Sequence, residues 1–100
     1  MTRMDAAENA VRFVVHGRVQ GVGYRAWAHH QAELHGLSGW VRNRRDGTVE
    51  GVLRGPSDLV DVVLKALHEG PRHAEVQSVD VEAAPAEQTA ERGFTVRDTV

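Results

Sequence analysis

The sequence predicts an α+β sandwich in which two helices cover one face of a mixed, largely antiparallel sheet. Three observations carry the prediction. Apolar residues recur with period two in some stretches and with helical period in others, in the order β-α-β-β-α-β. An Asp-Gly pair joins two of the strand-like stretches as a tight hairpin would. The chain has 100 residues, 41% of them hydrophobic, which suits one domain that buries roughly 60–68% of its unfolded surface.

The segment "MTRMDAAENA" is small and polar, so residues 1–10 are read as a disordered N-terminal arm and residues 11–100 as the folded domain. "VRFVVH" (11–16) places Val11, Phe13 and Val15 on one side of a first strand, which stops at Gly17. From Tyr24 to His35 nothing breaks a helix. Tyr24, Trp27, Ala28, Gln31, Ala32 and His35 share one face of it, and Gly36 supplies the stop. "LSGWVRN" (37–43) and "TVEGVLRG" (48–55) flank "RRDG", where Asp46-Gly47 turns the chain because glycine accepts positive φ. Pro56, Asp58 and Gly70 bracket a second helix, with Leu59, Val63, Ala66 and Leu67 as its buried stripe. "AEVQSVDVEA" (74–83) alternates again at Val79 and Val81. After a polar, alanine-rich connection, "GFTVRD" (93–98) forms a short fifth strand. Two crossover helices in this order are most simply accommodated by a split βαβ, ferredoxin-like sandwich.

Composition narrows the chemistry. The chain has no cysteine, which removes disulfides, thiol nucleophiles and thiolate zinc sites. No apolar run approaches the roughly 20 residues of a membrane span, and a cytoplasmic protein is expected. The net charge of −2 is unevenly spread: residues 1–55 carry +3 and residues 56–100 carry −5. An anion site in the first half is one reading of that imbalance; solvated surface charge is the other.

"HGRVQGVGYR" (16–25) is where an anion would sit. Its spacing, G-x-x-x-G-x-G, fits neither the dinucleotide fingerprint nor the P-loop. Glycines at a helix start nevertheless let backbone N–H groups converge where the helix dipole favours negative charge. An ordinary tight connection would use the same residues. Arg25 falls in the first turn of the helix, where a cation opposes the dipole by a few tenths of a kcal/mol. A bound anion would reverse that cost, and the guanidinium fork can grip two phosphate oxygens at once.

"GRVQGVGYR" (17–25) together with "GWVRNRRDGTVEGVLRG" (39–55) resembles both signature segments of the acylphosphatases, and the resemblance runs from about Val11 to Val96. It implies a metal-free, cofactor-free hydrolase of carboxyl-phosphate anhydrides that forms no phosphoenzyme. It further implies that Arg25 binds the phosphoryl group and Asn43 positions the attacking water. The loop of Gly17, Arg18, Val19, Gln20, Gly21 and Val22 then forms the phosphate-binding segment, with the backbone of residues 18–22 as cradle. Gln20 and Val19 are read as shaping the loop, and Gly21 as permitting close backbone approach.

Outside the signature roles, Asn43 also reads as a hairpin-flanking residue bonded to nearby backbone. Arg42, Arg44 and Arg45 read as solvated hairpin charges or as long-range attractors of a dianion, and Trp40 as core or as a stacking surface. Adjacent His29 and His30 point about 100° apart on a helix, and no H-E-x-x-H spacing occurs, so no zinc site is expected. An RNA-binding sandwich would expose aromatics on strands one and three, where only Phe13 stands, on the proposed core face. A non-catalytic small-ligand domain would have no need of this Arg and Asn. An acylphosphatase-like domain of carbamoyl-transferring hydrogenase-maturation proteins would sit in a much longer chain. The expected partners are therefore an acyl phosphate substrate and inorganic phosphate as product and inhibitor. Neither nucleic acid nor membrane is expected, and the enzyme is expected to be a monomer.

Overall fold

The computed structural model describes residues 8–84 and 92–100. Seven elements follow one another: β1 (Glu8–Arg18), α1 (Tyr24–Leu34), β2 (Ser38–Asn43), β3 (Val49–Pro56), α2 (Ser57–Glu69), β4 (Glu75–Ala83) and β5 (Phe94–Val96). The sheet order is β4-β1-β3-β2-β5. Each βαβ unit is split by a strand of the other: β3 lies between β1 and β2, and β1 between β3 and β4. Neighbours are antiparallel except β2 and β5, which run parallel. This is the ferredoxin-like sandwich expected from the order of periods.

β1 begins earlier than its apolar alternation. Residues 8–10, read from sequence as the end of the arm, pair with residues 54–56 of β3; residues 1–7 lie outside the described residues, as does most of the connection before β5. Backbone pairing needs no apolar side chain, so alternation could not mark this extension. Val11, Phe13 and Val15 do face the helices and are buried, with Val49, Leu53, Tyr24, Val63 and Leu67 in the same core.

α2 is rotated from its expected stripe: Val60, Val63 and Leu67 are buried, while Leu59 and Ala66 are only half-buried. Both stripes are apolar, and docking on the sheet chooses between them. On β4, Val79 is half-buried and Val81 is 44% exposed, although register puts Val81 opposite Phe13. β4 is an edge strand, and that part of it escapes the helices' cover.

Among the described residues the other sheet face carries no helix and is held by charge. Glu50, 5% exposed, accepts hydrogen bonds from Arg42 Nε at 2.8 Å and Arg12 Nε at 2.9 Å, and pairs with Arg12 Nη2. Burial pushes its carboxyl up, but the bonds from Arg42 and Arg12 outweigh this and hold it below its ordinary value. Its contribution to stability is thus present above the unfolded value of about 4.3 and is lost as pH falls through the lower folded one. Glu50→Gln should cost about 2 kcal/mol near neutral pH, a fall in melting temperature of about 8–16 °C. The deficit should shrink below about pH 4.3; melting curves of the two proteins across pH 3–7 check both statements.

Trp40 is 4% exposed yet lies on this outer face and not in the central core. The guanidiniums of Arg42 and Arg97 stand 4.8 and 4.5 Å from its ring centroid, two cation–π contacts that cover the ring where no described helix does. No helix among the described residues is long and apolar enough to cross a membrane.

Candidate active site

The loop leaving β1 is prepared by a bulge. Pairing with β4 shifts between His16 and Gly17, and Gly17 has φ 126°. A Cβ there would lie 2.2 Å from the Glu75 carbonyl oxygen, so only glycine fits; beyond the bulge Gly17 and Arg18 still pair with β4 before the loop begins. Val19, 1% exposed, plugs the loop into the core. Gly21 and Gly23 both adopt left-handed φ, 75° and 80°.

Gly23 is the N-cap of α1. It has no side chain to cap with, and the first turn holds no acidic residue. Trp27 N donates to Gly23 O at 3.0 Å, which leaves the preceding N–H groups of the turn without helical acceptors. Arg25 sits in that turn, half-buried, and among the described residues its guanidinium has no hydrogen-bond or ion-pair partner. Two sources of positive potential therefore stand side by side with no anion among the described residues to answer them. Next to Arg25, the buried Tyr24 hydroxyl donates to Leu67 O at 2.8 Å. Burial pushes its phenol well above the ordinary value, so it stays a neutral tie between α1 and α2.

Asn43 ends β2 opposite Val49, which puts its side chain on the helix side of the sheet. Its carbonyl accepts from Val100 N at 3.1 Å, and its half-buried amide has no partner among the described residues. Sequence alone also allowed that amide to bond nearby backbone; it does not. The turn beyond is closed by Arg44 N to Thr48 O at 2.9 Å and by Asp46 Oδ1, which accepts from Thr48 Oγ1 at 2.6 Å and Thr48 N at 3.0 Å. Those bonds hold the Asp46 carboxyl below its ordinary value.

A cavity of about 280 Å³ joins these parts, lined by Val19, Gly21, Gly23, Tyr24, Arg25, Ala26, Asn43 and Val96. Arg25 and Asn43, 18 residues apart in sequence, thus share one concave site. Of the other loop residues read from sequence, Val19 and Gly21 line it. Gly17 belongs to the bulge, Arg18 is exposed with Nη1 3.9 Å from Glu75, Val22 packs against the core, and Gln20 turns its amide to the hairpin. Val96 was not foreseen, because no local signal shows that β5 pairs beside β2.

The hairpin arginines diverge. Arg42 is committed to Glu50 and Trp40 on the far face, Arg44 lies 3.6 Å from Asp46, and Arg45 is exposed. Among the described residues no three His, Asp or Glu side chains are grouped to hold a metal ion. His29 instead stands 3.5 Å from Glu33 and stacks obliquely near Phe94.

Comparison with known proteins gives a consistent set. A family model described as acylphosphatase matches residues 11–96. The acylphosphatase of Azorhizobium caulinodans is 51% identical over 92 residues, covering 92% of this chain and 98% of the relative. The structure of an acylphosphatase from Coxiella burnetii superposes with a TM-score of 0.84 at 36% identity, covering 97% of this chain and all of that one. The Bacillus subtilis acylphosphatase gives 0.83 at 31% identity, over 91% and 99% of the two chains.

Proposed function

This chain belongs to the acylphosphatase family and hydrolyses acyl phosphates to a carboxylate and inorganic phosphate; from that premise we propose that Arg25 binds the phosphoryl group and Asn43 orients the attacking water. The observation that carries the proposal is that one cavity holds a guanidinium and a carboxamide, both without partners among the described residues, beside an uncapped helix start.

The backbone of residues 18–22 and the first turn of α1 direct N–H groups to the phosphoryl oxygens, and Arg25 adds a charged fork. Phosphoryl transfer spreads charge over three equatorial oxygens, which such donors stabilise without reorganising. The leaving carboxylate is already a weak base and needs little general acid. The Asn43 oxygen accepts a hydrogen bond from water and fixes its line of attack on phosphorus. The water's proton passes to a phosphate oxygen or to bulk water, and the P–O bond to the acyl group breaks without a phosphoenzyme.

No cofactor enters this scheme. The reading extends to a cytoplasmic monomer that takes only small-molecule ligands and is inhibited by its product phosphate. Purified protein should release phosphate from benzoyl phosphate at a rate unchanged by EDTA, and leave a phosphomonoester essentially intact. Equal rates on the two substrates would overturn the anhydride specificity. Activity lost to chelation and restored by a divalent metal would overturn metal independence.

A further inference from the structure

The Gln20 side chain makes a contact that the scheme above does not use. Its Nε2 donates to Arg44 O at 2.7 Å and to Thr48 O at 2.8 Å. Both partners are carbonyls, so the amide orientation follows from the acceptors, and both N–H hydrogens are spent. Among the described residues no other hydrogen bond joins residues 19–23 to residues 44–48. Arg44 directly follows Asn43, and Thr48 O also closes the hairpin by accepting from Arg44 N. One side chain therefore fastens the loop beside Arg25 to the base of the turn that carries Asn43.

We propose that Gln20 is a positioning residue: through its two bonds to the Arg44 and Thr48 carbonyls it sets the distance and angle between the phosphate cradle and the water held by Asn43. The inference rests on the roles of Arg25 and Asn43 given above. In-line attack tolerates little error, since a displacement of about 1 Å between reacting groups can cost on the order of 10²-fold in rate. The cradle and Arg25 come from one segment, residues 18–25, so phosphate binding survives a shift of that segment as a unit. Asn43 comes from another segment, and its water would then be misaligned. Turnover depends on the tie; phosphate affinity does not.

The test is a double-mutant cycle with benzoyl phosphate as substrate and inorganic phosphate as the binding probe. Gln20→Ala should lower kcat by roughly 10- to 50-fold while the phosphate inhibition constant stays within about threefold of wild type. In an Asn43→Ala background, where no positioned water is left to misalign, adding Gln20→Ala should lower kcat by no more than about twofold. Gln20→Met keeps the length and packing of the side chain but donates nothing, so it guards against an alanine variant that fails to fold and should lose kcat to the same degree.

A Met variant with wild-type kcat would overturn the inference, because packing would then suffice. So would phosphate affinity falling in step with kcat, or a Gln20→Ala loss as large without Asn43 as with it. An Asn43→Ala variant of normal turnover would remove the water-positioning reading and this inference together. A reduced Asn43→Ala with an additive Gln20 loss would remove this inference alone.

Discussion

Arg25→Ala is expected to lower turnover by roughly 10³-fold or more and to weaken competitive inhibition by inorganic phosphate in parallel. The guanidinium is half-buried at the uncapped start of α1 and has no partner among the described residues. Its removal deletes the charge-assisted fork proposed to grip the dianion, without stranding a carboxylate among the described residues. Stability should therefore change little or improve slightly, since a cation in the first turn opposes the helix dipole. Arg25→Lys should recover only part of the loss, because an ammonium is a point charge and not a planar fork. Steady-state kinetics, phosphate inhibition and melting temperature together check the three statements. A variant with normal phosphate affinity would show that the backbone cradle alone binds the phosphoryl group.

Asn43→Ala is expected to lower turnover by roughly 10²-fold or more while phosphate inhibition stays within about threefold of wild type. The side chain lines the same cavity but comes from the end of β2, and it is neutral, so in the proposed role it contributes geometry to the attacking water and little to the charge that holds phosphate. Asn43→Asp is informative beside it. A carboxylate still accepts a hydrogen bond from water, but it places a negative charge beside the dianion, so this variant should lose phosphate affinity as well. Circular dichroism must show both variants folded before the kinetics are compared. Near-normal turnover in Asn43→Ala, or a loss of phosphate binding as severe as in Arg25→Ala, would collapse the division of labour between the two residues.

Much of this site is legible in the amino-acid sequence because its signals are local. The loop glycines, Arg25 in a first turn and Asn43 before Asp46-Gly47 stand in two short segments that resemble a known signature. Gly17 shows the limit of such reading: it belongs to the signature, yet its place is a bulge where the Glu75 carbonyl leaves no room for a Cβ, and that contact lies 58 residues away. Val96 and the Gln20 tie are silent in the sequence for the same reason. A three-residue parallel pairing and a side-chain bond across 24 residues leave no periodic trace.

The order of the elements, the hairpin and the residues proposed to carry the chemistry follow from the amino-acid sequence. Period two, helical period, turn glycines and a signature are all written within a dozen or so neighbouring positions. Tertiary packing settled the rest: which apolar stripe of α2 is buried, which face Trp40 and Arg42 occupy, where β5 joins the sheet and how the loop is held to the hairpin. Each of those outcomes is a choice among locally equivalent arrangements. Strand register and helix docking make the choice, because burial and hydrogen-bond satisfaction are properties of segments that meet only once the chain has folded.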